Sequence, residues 1–127
     1  MKPNVILTIT SLLSILLMTL HLTDDIVRGM EPGSLSNYAG VLILVVWLYG
    51  TLVLAERRSG YVILLLGSLL GSGVPIIHMK GKGVGEIATS SGGFFFVWTL
   101  LALGVTATFS VILSAGGLWS LRRGQPR

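Results

Sequence analysis

Four long apolar blocks, none containing Asp, Glu, Lys or Arg, constrain this chain more than any other feature. They cover residues 5–22, 38–55, 61–79 and 94–118. The hydrocarbon core of a bilayer is about 30 Å thick and takes about 20 apolar residues as helix. Backbone amides in oil have no water to bond, so they must satisfy one another, and a helix does this within one segment. Each block is apolar all round rather than along one stripe, which suits a helix solvated by lipid. The expected fold is all-α: an integral membrane protein with four transmembrane helices, forming a single up-down-up-down bundle over residues 1–127.

Composition agrees. Hydrophobic residues make up 52% of the chain and charged residues 11%, against about 25% charged in a soluble domain. A net charge of +4 and a pI near 10.0 would point to nucleic acid in a soluble protein. Here the basic residues flank the apolar blocks, and no aromatic-rich basic surface exists to stack bases. Lipid is the expected partner, and nucleic acid is not. The absence of cysteine removes disulfides, thiolate metal sites and thiol redox chemistry. Lys2 ahead of the first block gives it the look of a signal peptide. Its end, Met18-Thr19-Leu20-His21-Leu22, offers no small-x-small cleavage site, so an uncleaved span is expected.

The connections set the topology. The first, from Thr23 through Asp24, Asp25, Arg28 and Glu31 to Gly33, reads as an acidic, turn-rich loop. The second is the short run 56–60, which makes spans two and three antiparallel neighbours. The third holds Gly81-Lys82-Gly83-Val84-Gly85, Glu86 and then Ser90-Ser91-Gly92-Gly93; it lacks a phosphate-loop pattern and reads as a connector. Lys2, Arg57, Arg58, Arg122, Arg123 and Arg127 fall on one side, and Arg28, Lys80 and Lys82 on the other. That bias predicts a multi-pass protein of the cell membrane with both termini cytoplasmic.

Lipid tails remove the usual hydrophobic drive between helices, so small residues and interhelical hydrogen bonds must hold a bundle together. Gly67 and Gly71, Ser68 and Ser72, and the row Ala102, Thr106, Ser110 and Ser114 each follow a four-residue step and are the expected packing seams. Packing within one bundle is the simpler use of them; self-association is the alternative. Pro75 predicts a bend or unwound turn in span three. Trp47 lies mid-span, where its indole N–H wants a polar partner such as Thr51 or a serine on another helix.

Candidate chemistry is sparse. His21 and His78, the only histidines, each lie the same number of residues beyond the start of an outward-running span. They should share a depth near the outer interface, among Asp24, Asp25, Glu31 and Glu86. A metal ion held by His21 and His78, with Asp24, Asp25 or Glu86 completing the shell, is one possible use; a haem held between the imidazoles is another. No local ligand spacing supports either, and a plain hydrogen-bonding role for the imidazoles is the simpler expectation. Asp24 and Asp25 could also pair with Lys80 or Lys82. Small multidrug transporters have four spans and similar length but carry a glutamate inside the first span, which this chain lacks.

Three classes of function remain. One is a non-catalytic structural or accessory component that packs against itself or a larger membrane complex. The second is an oligomeric channel or carrier, with Ser11, Ser14, Thr106 and Ser110 along a path. The third is a metal- or haem-binding protein using His21 and His78. The first asks least of the sequence and is the expectation, with no enzymatic activity and no cofactor.

Overall fold

A computed structural model describes residues 1–30, 34–80 and 83–124. The chain is a bundle of helices α1 (Pro3–Val27), α2 (Ser34–Leu52), α3 (Arg58–Lys80), the short α4 (Gly83–Ala88) and α5 (Gly93–Arg122), with no strand among the described residues. Four of these are long and apolar enough to cross a membrane. Lys82, Arg127 and Glu31, used above for orientation and for the histidine neighbourhood, lie outside the described residues.

Around the bundle the order is α1, α2, α3, α5. α3 and α5 share the most extensive interface, α1 and α3 touch lightly across the diagonal, and α2 and α5 do not touch among the described residues. On three helices the inward positions step alternately by three and four residues, the repeat of a coiled-coil seam. In α1 these are Asn4, Leu7, Ser11, Ser14, Met18, His21, Asp25 and Arg28; in α3, Tyr61, Leu64, Ser68, Gly71, Pro75 and His78. In α5 they are Phe96, Leu100, Leu103, Ala107, Ser110, Ser114 and Gly117. The strict four-residue rows read from the sequence drift off such a seam by about 40° per step. Accordingly Ser110 and Ser114 are buried, whereas Ala102 and Thr106 are half-buried. Ser68 is buried as well; Ser72 is half-buried and donates to the Leu69 carbonyl at 3.0 Å.

The seam of α1 is polar along most of its length, and hydroxyls tie it to its neighbours. Ser14 Oγ lies 3.1 Å from Thr106 Oγ1, and Ser110 Oγ lies 3.0 Å from Thr10 Oγ1. Trp47 of α2 donates its indole N–H to Ser11 Oγ at 3.0 Å, and Ser11 is 2.8 Å from Thr51 Oγ1. Ser11→Ala leaves that indole N–H without its acceptor. The expected loss of stability is about 0.6–1.7 kcal/mol, the range of interhelical hydrogen bonds in membranes. Unfolding of the purified protein by SDS titration measures it.

α1 runs farther than its apolar block. Asp24 and Asp25, read as loop, form its last turn. Hydropathy marks where lipid-facing residues stop, not where the helix stops. The terminator is Gly29, in the left-handed region at φ 70°; Gly29 N–H bonds the Ile26 carbonyl and Met30 N–H the Asp25 carbonyl. That pair of bonds is the Schellman ending, and the glycine makes it cheap. α2 ends earlier, at Leu52, because the chain must turn within residues 53–57, with Glu56 at φ 65°. The connector after span three contains the short helix α4. Pro75 does not interrupt α3, which is continuous from Arg58 to Lys80. Its ring packs onto Gly104 of α5, where a Cβ would come within 3.0 Å of it.

Candidate metal centre

Three side chains from two helices converge at the end of the bundle opposite the chain termini. His21 and Asp25 stand one turn apart on the inner face of α1, and His78 lies in the last turn of α3. His21 is 2% exposed and Asp25 5%; His78 is half-buried. Asp25 Oδ2 lies 3.6 Å from His21 Nε2 and 3.5 Å from His78 Nε2. One donor atom from each of the three residues lies within 4.8 Å of the others.

These separations decide what the cluster is. Hydrogen bonds between nitrogen and a carboxylate run about 2.7–3.2 Å, so neither imidazole is hydrogen-bonded to Asp25. Donors held about 2.0–2.2 Å from one ion at tetrahedral angles stand about 3.3–3.6 Å apart. The two nitrogen-to-oxygen distances match such an edge, while the set as a whole spans 4.8 Å, so the donors must draw in to share one ion. Among the described residues, both ring nitrogens of His21 and Oδ1 of Asp25 are buried with no hydrogen-bond partner. Each such atom costs about 1–3 kcal/mol in lost solvation.

The surroundings fix the donors. His78 Nδ1 is 2.9 Å from the Val74 carbonyl one turn earlier. A carbonyl only accepts, so Nδ1 carries a hydrogen, and Nε2 is the ring nitrogen turned toward Asp25. This backbone anchor is the usual support behind a metal-bound histidine. Phe96 of α5, fully buried, braces both imidazoles, with ring centroids 5.0 Å from His21 and 5.8 Å from His78. The imidazoles meet edge to face at 4.8 Å.

Arg28 ties the site to the α4–α5 turn. Its Nε donates to Asp24 Oδ2 at 2.7 Å, Nη1 to Ser90 Oγ at 3.1 Å, and Nη2 to the Ser91 carbonyl at 3.2 Å. Its guanidinium carbon lies 6.0 Å from the centroid of the Phe96 ring. Gly92 lets that turn close, at φ 75° with Arg28 alongside.

Of the residues singled out in the sequence, then, His21, His78 and Asp25 come together. Asp24 is held by Arg28 rather than by Lys80. Glu86 is exposed on α4, outside the cluster. Phe96, Arg28 and the Val74 carbonyl were not anticipated; the i to i+4 spacings from Asp24 to Arg28 and from Val74 to His78 are the signals that could have found the last two. The hydroxyls considered for a solute path, Ser11, Ser14, Thr106 and Ser110, are each engaged by a hydroxyl on a neighbouring helix: Ser11 with Thr51, Ser14 with Thr106, and Ser110 with Thr10. Compared with protein families, with curated proteins and with solved structures, the chain matches none.

Proposed function

We propose that this four-span membrane protein binds a divalent first-row transition metal through His21, Asp25 and His78. The supporting observation is the convergence of His21, Asp25 and His78, with both imidazoles 3.5–3.6 Å from Asp25 Oδ2 and both nitrogens of His21 buried without a hydrogen-bond partner. Two imidazoles and a carboxylate form a donor set common to zinc and non-haem iron(II) sites. Three protein donors among the described residues leave further positions on the ion for water or a substrate, which suits Lewis-acid or redox chemistry. A cation there would also balance the buried Asp25 carboxylate, whose neighbour Arg28 is engaged with Asp24.

The haem alternative fits less well. A haem held between two histidines needs its plane between the rings, and these rings already touch edge to face. On the Lys and Arg bias, the histidine end would face the outer side of the membrane, where exchange with external metal would be direct.

Chelator-treated protein in mild detergent should take up one equivalent of Co²⁺. Visible d–d bands of a four- or five-coordinate site should appear, and Zn²⁺ should displace the Co²⁺. A protein that binds none of Zn²⁺, Co²⁺ or Fe²⁺ saturably at micromolar concentration would overturn the proposal.

A further inference from the structure

At the opposite end of the bundle, α3 begins with Arg58 and α5 ends with Arg122. Both line one groove of about 400 Å³ between those helices. Its walls below the arginines are Val62, Ala115 and Leu118, and Trp119 flanks it. Among the described residues neither arginine takes part in a salt bridge. Arg123 is turned aside onto the Trp119 ring, 4.7 Å from its centroid. The groove therefore has a mouth carrying two cations and an apolar floor, at the level where two spans leave the hydrocarbon.

We propose that this groove is a binding site for one anionic glycerophospholipid. Its phosphate would be held by Arg58 and Arg122, and one acyl chain would lie along Val62, Ala115 and Leu118. Charge complementarity selects the occupant. Guanidinium groups bind phosphate oxygens bidentately, and two of them favour a net negative headgroup over a zwitterionic one. A second copy packing two-fold on the same face would bring arginine against arginine. Tryptophan beside the groove suits the headgroup level of a lipid.

Native mass spectrometry of the full chain, with phosphatidylglycerol and phosphatidylcholine in competition, tests this. One phosphatidylglycerol should be retained per chain in preference to phosphatidylcholine. The double variant R58Q/R122Q should weaken that retention about 10-fold or more. The pair K2Q/R57Q removes the same charge at the same end without touching the groove, and should retain lipid within about twofold of wild type. Ala115 is exposed, so Ala115→Trp fills the floor without entering the core; it should lose the lipid with both arginines intact. Equal retention of the two lipids, equal loss in K2Q/R57Q, or full retention in R58Q/R122Q or Ala115→Trp would overturn the site.

Discussion

His21→Leu should abolish metal binding while leaving the metal-free protein as stable as wild type, or more so. Both effects come from the same atoms. A direct ligand is worth more than the supporting groups behind it, whose loss already costs about 10–100-fold in affinity. Removing His21 Nε2 should therefore weaken Co²⁺ binding by more than about 100-fold. Without metal, the two ring nitrogens of His21 are buried and lack protein partners. Replacing a buried polar group of this kind with an apolar one of similar size is neutral or stabilising. The wild type should gain about 2.7 kcal/mol from metal at one hundred times its dissociation constant, and His21→Leu should gain none. Thermal unfolding in detergent, with and without Zn²⁺, measures both terms. If His21 is only a packing residue, the variant will be less stable and its response to Zn²⁺ will match wild type. That result would remove the metal reading.

Much of this arrangement could be read from the chain, and the part that could not has a physical cause. Equal depth of His21 and His78 follows from counting residues along two parallel spans. Which of the adjacent carboxylates joins them does not follow from hydropathy. The answer lies in helix phase. Asn4, Ser11, Ser14, His21, Asp25 and Arg28 lie on one seam of α1, whose positions, with Leu7 and Met18, step alternately by three and four. Polar residues that recur along one seam of an apolar helix mark an interior face. Asp25 belongs to that seam, and Asp24 sits beside it to hold Arg28. Ending the span at Leu22 hid the pattern, because the seam continues through a last turn that hydropathy assigns to the loop. Phe96 was hidden for another reason. Phe94, Phe95 and Phe96 are alike in sequence, and only the packing of α5 buries the third while leaving its neighbours exposed.

The fold itself was legible because bilayer physics leaves few choices. Four uncharged blocks joined by a short second connection permit little besides an alternating bundle, and the described residues contain four helices long and apolar enough to span. The seams were legible in part. Gly67 and Gly71, four apart, both pack against Trp47, and Ser110 and Ser114 are both buried, whereas Ser72, Ala102 and Thr106 fall beside the alternating repeat and are half-buried.

Gly67 carries the largest expected effect on stability. Trp47 is the one large side chain that α2 buries, and its indole packs against α3 at Gly67. A Cβ there would stand 2.5 Å from the indole, inside any permitted contact. α2 cannot retreat without withdrawing Trp47 from Ser11 and pulling Thr51 away from the same hydroxyl. Overpacking of this kind costs about 1–3 kcal/mol, and the interhelical bonds to Ser11 add about 0.6–1.7 kcal/mol. Gly67→Leu should therefore destabilise the bundle by about 2–5 kcal/mol, read by SDS titration. Gly73→Leu, on the same helix with nothing within 4 Å of the added Cβ, should stay close to wild type. Because α2 contributes no donor to the cluster of His21, Asp25 and His78, Gly67→Leu should keep the Co²⁺ spectrum under conditions where it remains folded. Equal stability of the two leucine variants would mean that α2 does not pack through Trp47, and the arrangement of the bundle would have to be redrawn.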